Sequence, residues 1–325
     1  MPSKILITGG AGYIGSHMTH YLVSQGCNPG DLVIFDNLQY GHKEYVPDGV
    51  HFVEGDLLNQ EHIKKVFNDF NIHVVYHFAA YAYVYESMQN PDKYFRNNIL
   101  GGLNLLESMR THNCTKIIFS STCATYGIPE EIPITEDTPQ KPVNPYGESK
   151  LMFEKILKWY DEIYRIKSAS LRYFNVGGAD FGIGEKHDPE THIIPLRIYA
   201  ALGHNEHVNI FGTDYKTPDG TCIRDYIHIT DLVDGHLKAY NYLEQGNVSD
   251  AMNLGTGNGT SVREIVDWVR KISGLNFSVT ETKKRAGDPA VLIASPQKTR
   301  DLLGWRATKN IKDIIQSAWN WHYQK

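Results

Sequence analysis

Apolar positions in the first half of the chain fall into two alternating rhythms. Short β-rich runs recur at Lys4 to Thr8, in DLVIFDN ending near Asp36, in HFVEGDLLN, in VVYHFAA and at Lys116 to Phe119. Between them lie segments with helical spacing. In the first of these, Ile14, Met18, Tyr21 and Leu22 share a face that stops at Gly26. A longer one, YGESKLMFEKILKWYDEIY, begins at Tyr146 after a proline-rich loop. Strand and helix in strict alternation predict an α/β fold with a doubly wound parallel sheet. After Leu171 the rhythm loosens and glycine becomes more frequent, which predicts a second, smaller α/β lobe. The expected division is 1–174 with a return segment at about 227–250, against 175–226 and 251–325. No internal repeat, low-complexity run or flexible linker interrupts the pattern.

The connection after the first strand carries Gly9, Gly12 and Gly15. Between a strand and a helix, glycines at this spacing allow a tight turn and close backbone approach. They leave the helix N–H groups free for a pyrophosphate. Asp36 ends the second strand 21 positions after Gly15, where a carboxylate can accept from an adenosine ribose and repels a 2′-phosphate. NAD is therefore the expected cofactor, although Asp36 also reads as a loop cap. Asp56 follows the third strand, near the expected adenine edge. The fourth strand ends in small residues that suit a flat cofactor.

The fifth strand runs into Ser120, Ser121 and Thr122, at the end of a sheet where ligands bind. As bare hydroxyls these read equally as turn-satisfying groups. Tyr146 and Lys150 lie one helical turn apart, a spacing that says little by itself in a chain with 20 tyrosines. Beside a cofactor crevice it has a use. The ammonium is expected to lower the phenol's pKa and reach the nicotinamide ribose, while Thr122 bonds the substrate hydroxyl. That set serves oxidation of an alcohol.

The motifs GGAGYIGSH, DNL, GDL, HFAA, NN at 97–98, SSTCATYG, NPYGESK, RYFNVGGA, GTDYKTPDGTCIRDYIH, NLGTG and RAGDPAVLIAS run through nearly the whole chain. Together they resemble the UDP-glucose 4-epimerase family of extended short-chain dehydrogenases/reductases, which implies a Rossmann-type fold. The resemblance implies NAD contacts from the glycine turn, Tyr13, Ile14, Asp36, Asn37, Asp56, Leu57, Phe78, Ala79, Ala80, Asn97, Ser120, Tyr146, Lys150 and Tyr173. It implies contacts to the uridine diphosphate sugar from Asn175, Ile193, Phe211, Arg224, Tyr226, Arg285 and Asp288, besides Thr122 and Tyr146 at the sugar. From the residues alone, each arginine reads equally as a surface ion pair.

Two positions depart from the family pattern. Ala82 stands where enteric members carry lysine. Leu292 stands where members carry a bulky tyrosine or a small cysteine or serine, at the expected wall of the sugar pocket. The implied reaction is reversible inversion at C4 of a UDP-sugar through a 4-keto intermediate, UDP-glucose/UDP-galactose first. The alternatives are the UDP-xylose/UDP-arabinose pair, the N-acetylhexosamine pair, a sugar 4,6-dehydratase and a non-catalytic NAD-binding protein.

Composition narrows the field further. A net charge of −5 and a pI near 6.3 give no electrostatic case for nucleic acid or an anionic membrane, and Lys283-Lys284-Arg285 reads as a solvated turn. No stretch approaches the ~20 apolar residues of a membrane span, and the N-terminus lacks a secretory pattern. The four cysteines lack metal or redox spacing, so a reducing, cytoplasmic setting is expected. His17 and His20 share a helical face without a third ligand, and no metal is expected. The resemblance implies a homodimer paired through the helix from about residue 147, whose Leu151, Ile156, Leu157 and Tyr160 offer more apolar surface than one packing stripe needs.

Overall fold

A computed structural model describes residues 2–285 and 288–324. The chain runs β1 (Lys4–Thr8), α1 (Tyr13–Ser24), β2 (Leu32–Asp36), β3 (His51–Glu54), α2 (Gln60–Asp69) and β4 (Ile72–His77). Next come α3 (Val84–Gln89), α4 (Pro91–Phe95), a π-helical turn (Arg96–Gly101), α5 (Gly102–Thr111), β5 (Lys116–Thr122), α6 (Pro145–Tyr164) and β6 (Lys167–Tyr173). β7 (Asn175–Gly177), β8 (Ala179–Asp180), β9 (Ile183–Gly184), α7 (Ile193–Ala201), β10 (His207–Phe211), β11 (Ile223–His228) and α8 (Ile229–Glu244) follow. The last part holds β12 (Asp250–Leu254), β13 (Gly259–Ser261), α9 (Val262–Ser273), β14 (Ser278–Thr282), β15 (Val291–Leu292), α10 (Gln297–Leu303) and α11 (Ile311–Tyr323).

Seven strands form the main sheet in the order β12-β6-β5-β4-β1-β2-β3, which makes the α/β, Rossmann-type fold. The pairings of β1 with β2 and β4, β2 with β3, and β4 with β5 are all parallel. β2 is buried at every position, as a parallel strand covered on both faces must be. β1 has β2 on one side and β4 on the other, so the chain reverses its winding direction there. The crevice beyond such a strand is where open α/β sheets bind ligands.

The chain divides into two compact units. The first comprises 1–127, 140–172 and 233–252; the second comprises 128–139, 173–232 and 253–325. The segment 128–139 had been expected in the first. The return segment begins at Val233 rather than near 227. The first unit's core gathers Leu6, Val33, Phe35, Ile117 and Phe119 from one face of the sheet with Leu105, Phe153 and Leu157 of the helices packed on it. Leu151 and Leu157 of α6 are buried, and Ile156 and Tyr160 pack against this core. The four residues singled out as spare apolar surface are therefore mainly core. What α6 leaves exposed is Met152, Trp159, Ile163 and Tyr164.

The second unit is organised around β11. It pairs with β7, β13 and β15, and a separate core of α7, β10, α9 and α11 side chains packs nearby. Asp225, buried in the middle of β11, accepts from the backbone N–H groups of Thr256 (2.9 Å), Gly257 (2.9 Å) and Ala294 (3.2 Å) and from the Thr256 hydroxyl (2.7 Å). One carboxylate thus pins the GTG turn and the end of the chain leaving β15. Asp225→Ala leaves these donors without their shared acceptor, and bonds to a charged group are worth about 1.5–3 kcal/mol each. The substitution is expected to destabilise the protein by about 3 kcal/mol or more, measured as a shift in the urea unfolding midpoint. A shift worth less than about 1 kcal/mol would show that the turn holds itself.

Candidate active site

The glycine turn is built by close approach. Gly9 has a φ of +69°, and a Cβ there would lie 2.6 Å from the Ala79 nitrogen. A Cβ on Gly15 would lie 2.2 Å from the Gly9 carbonyl oxygen, so α1 can start this near the turn only without side chains. Gly12 caps α1; no side chain bonds the helix end, and no acidic residue occupies the first turn. The resulting cradle suits an anion. The amides of Phe78 and Ala79 donate to the Thr8 carbonyl (3.0 and 3.1 Å), which brings the chain after β4 alongside the chain after β1.

Asp36 is buried, and its carboxylate accepts from the Ala11 N–H (3.0 Å) and the Leu38 N–H (2.8 Å). Burial pushes its pKa up, opposed by those two bonds. Asp36 thus shapes the loop, and an ionised carboxylate has further lone pairs beyond these two bonds. Asp56 and Asn37 accept from the Leu58 N–H (2.8 Å) and the Gln39 N–H (3.1 Å), each organising its own turn. Leu57 is packed into the core. Tyr13 is buried at the start of α1 with its ring edge against His17, and Ile14, Phe78, Ala79 and Ala80 are half-buried. Tyr173 closes β6 and is buried.

Thr122, Tyr146 and Lys150 belong to the same unit. Asn144 caps α6 by accepting from the Gly147 N–H (2.8 Å), and Pro145 occupies the first turn. A Cβ on Gly147 would stand 2.5 Å from the Ala124 carbonyl oxygen. Glycine at this position lets α6 lie against the 123–126 turn. It places the Tyr146 hydroxyl in hydrogen bond with Thr122, whose Oγ1 also accepts from the Ala124 N–H (3.1 Å).

The electrostatics differ from the sequence expectation. Burial raises the Tyr146 phenol to about 12, with the Thr122 bond opposing. Lys150 does not lower it in this structure. The amine of Lys150 is buried, donates to the Ser120 carbonyl (2.8 Å) and lies 4.9 Å from the Phe119 ring centre. Burial pulls its own pKa down to about 7, against the Glu154 charge, which raises it. His77, buried beside Phe119 and Phe153, is pushed down to about 3 by burial and by the Lys150 charge, and is neutral.

Several further residues hold the site together through roles that the sequence did not assign. Asn98 exchanges hydrogen bonds with the Tyr81 backbone (3.0 and 3.1 Å) and donates to Ser149 (3.0 Å), tying the π-helical turn to α6 beside Lys150. Its neighbour Asn97, the expected contact, donates to Asn98 Oδ1 (3.0 Å). Glu154, one turn after Lys150, forms a buried bidentate pair with Arg172 (2.6 Å at the closest) and accepts from Ser121. The Arg172 guanidinium also donates to Tyr126 (3.0 Å).

In the second unit, β11 carries Arg224 and Tyr226 of the expected nucleotide-sugar residues and pairs with strands that carry two more. Arg224 pairs in register with Leu292, and Tyr226 with Asn175. The Arg285 guanidinium sits 3.8 Å from the Phe211 ring centre, and Asp288 lies 4.0 Å from Arg224. Ile193 opens α7. Arg197 was missed: it is buried on α7, donates to the Asn209 carbonyl (2.7 Å), and its pKa is pulled down to about 10, by burial and then by the Arg285 charge. Its place within the apolar run IIPLRIYAA was the only sign. Ala286 and Gly287 of the RAGDPAVLIAS motif lie outside the described residues.

Fold and constellation define an NAD-binding short-chain dehydrogenase type of protein. The family described as the NAD dependent epimerase/dehydratase family matches residues 5–255, and the chain belongs to it. It is 51% identical to UDP-glucose 4-epimerase from Streptococcus mutans, over 98% of this chain and 96% of that protein. A crystal structure of UDP-glucose 4-epimerase from Brucella ovis in complex with NAD superposes with a TM-score of 0.94, at 44% identity and 98% coverage of both chains. That of UDP-glucose 4-epimerase from Bifidobacterium longum in complex with NAD+ and UDP gives 0.93, at 36% identity, covering 100% of this chain and 99% of that one. No helix among the described residues is long and apolar enough to cross a membrane.

The Lys150 pKa has a consequence for stability. The folded value, about 7, lies below the ~10.4 of an unfolded lysine, so between these pH values the unfolded chain holds a proton that the folded one lacks. Stability from this group rises with pH across that window. The stability of wild type relative to Lys150→Met is expected to increase from pH 7 to pH 9, read from urea midpoints of both. A difference independent of pH would show that the buried amine keeps its charge.

Proposed function

We propose that this chain catalyses NAD-dependent, reversible C4 epimerisation of a UDP-sugar, with UDP-glucose and UDP-galactose as the principal pair. The hydrogen-bonded Thr122–Tyr146 pair, one turn from the buried Lys150, is the observation that carries the reading. NAD, when bound, supplies a hydride acceptor that returns the hydride. Thr122 holds the sugar 4-hydroxyl, and Tyr146 Oη takes its proton. With the hydride removed from C4, a 4-keto sugar results. The phenol, protonated at rest, needs positive charge nearby to ionise, and Lys150 can carry that charge at neutral pH because its pKa is about 7. Tyr146 returns the proton when the opposite face of C4 is reduced. The redox change cancels, so NAD is retained through turnover.

Arg224 and Arg285 suit a diphosphate, with Arg197 adding charge behind them. The Arg285–Phe211 stack provides a platform for a planar base. Leu292, paired with Arg224, is the proposed sugar-pocket wall. The first unit is the proposed NAD-binding domain and the second the UDP-sugar-binding domain. The dehydratase alternative needs a free acid beside Thr122, whereas Glu154, the acid bonded to Ser121, is held bidentately by Arg172. The exposed Met152, Trp159 and Ile163 of α6 support pairing into a homodimer. Cys27, Cys114, Cys123 and Cys222 are not joined in disulfides, which fits a cytoplasmic setting.

The test is a panel of UDP-sugars with products identified by NMR. Interconversion of the glucose and galactose forms is expected without added NAD, with slower turnover of the N-acetylated pair and loss of turnover by orders of magnitude in Tyr146→Phe. Leu292→Tyr is expected to lower kcat/KM for the N-acetylated sugar relative to UDP-galactose by roughly a hundredfold, since a ring in that space clashes with an acetamide and not a hydroxyl. An unchanged ratio removes Leu292 from the pocket. Fast turnover of UDP-xylose with poor hexose turnover places the chain with the pentose epimerases. A dimer is expected by light scattering at micromolar concentration, and a monomer there counts against the α6 interface.

A further inference from the structure

The connection from β9 to α7 reads GEKHDPETH, and it folds four potential ligands onto one point. One ligand atom from each of Glu185, His187, Glu190 and His192 lies within 4.8 Å of the others. His192 Nδ1 is 2.9 Å from both Glu185 Oε1 and Glu190 Oε1. His187 Nδ1 is 3.5 Å from Glu185 Oε1 and 3.7 Å from Glu190 Oε2. Both imidazoles present Nδ1 to the carboxylates. The Glu185 and Glu190 side chains are only 7% and 5% exposed. All four residues belong to the second unit.

A second feature is independent of the cluster's composition. Glu190 Oε1 is fixed by the backbone N–H groups of Thr191 and His192, both at 2.8 Å. Its other oxygen, Oε2, is buried and accepts no hydrogen bond. A carboxylate clamped by one oxygen, with its second buried oxygen turned into a group of nitrogen and oxygen donors, is oriented for a cation.

We propose that Glu185, His187, Glu190 and His192 form a structural binding site for a divalent transition-metal ion, with zinc the best match. Zinc bonded to nitrogen at about 2.0–2.1 Å and to oxygen at about 2.0–2.2 Å in a tetrahedron holds its ligand atoms roughly 3.3 Å apart. The His192–Glu185 (2.9 Å), His187–Glu185 (3.5 Å) and His187–Glu190 Oε2 (3.7 Å) separations bracket that value. Two imidazole nitrogens with two carboxylates favour zinc over magnesium or calcium, which prefer all-oxygen shells. Four protein ligands close the shell, the mark of a structural site. The ion closes the 185–192 loop at His192, the residue that immediately precedes α7.

Without a metal, the same groups make a double imidazolium–carboxylate pair. Both histidines are shifted up, His192 to about 10, with burial opposed by the larger combined effect of the two glutamates. Two protons or one divalent cation neutralise the two carboxylates equally, so charge balance alone does not choose between them.

The experiment titrates chelator-treated, dialysed full-length protein with zinc chloride against a chromophoric zinc chelator. About one zinc per chain is expected, bound at least tenfold more tightly than in Glu190→Gln and not displaced by millimolar magnesium. The His187→Asn/His192→Asn double variant, its fold checked by circular dichroism, is expected to lose the stoichiometric site. Zinc is also expected to raise the melting temperature of wild type by several degrees, reversed by EDTA; this measurement stands if the double variant does not fold. No stoichiometric zinc at micromolar concentration, displacement by magnesium, or equal binding in Glu190→Gln would each overturn the site and leave the salt-bridged form.

Discussion

The chemistry of the first unit rests on how closely α6 can approach the end of β5. That approach is set by a missing side chain. With hydrogen at Gly147, the helix lies against the Ala124 carbonyl, and Tyr146 reaches Thr122 while Lys150 reaches the Ser120 carbonyl. A methyl group there would push the helix away from the strand end, separating the phenol from its hydroxyl partner. The Asn144 cap and Pro145 set where the helix begins, and hence which residues occupy its first turn.

Burial then sets the proton inventory. The Lys150 amine is out of water, so its charge is expensive and its pKa falls to about 7. His77 is held neutral, and Glu154 is the acid that opposes the loss of charge. Glu154 is itself committed to Arg172, a buried bidentate pair that satisfies both ions and keeps the carboxylate from competing for the lysine. The phenol is held protonated in the same environment.

The second unit solves a different problem with one strand. β11 places Arg224 beside Leu292 and Tyr226 beside Asn175, while Asp225, facing the other way, holds the GTG turn and the chain after β15. Alternation along a strand separates the two jobs: the flanking residues on one face are free for ligand, and the middle one is structural.

Local chemistry was readable from the chain. The glycine turn, the alternation of strands and helices, and the placing of Asp36, Thr122, Tyr146 and Lys150 all follow from periodicity and spacing, because neighbouring residues determine them. Whether an apolar helix position faces core or solvent was not readable. Leu151 and Leu157 went to the core, and Met152, Trp159 and Ile163 stayed exposed, because the sheet chooses the buried face. Nor were Asn98, Arg172, Arg197 or Asp225 legible, since each works through partners distant in the chain. The metal-ligand cluster is the instructive case: Glu185, His187, Glu190 and His192 lie within eight residues, yet their spacing matches no short motif. Only the turn of the loop between β9 and α7 aims them at one point. The sequence by itself determined which groups exist and which local elements carry them. Tertiary structure decided which became buried, and therefore which pKa values moved and which donors were left facing one another, because desolvation and convergence depend on atoms that the chain brings together only when folded.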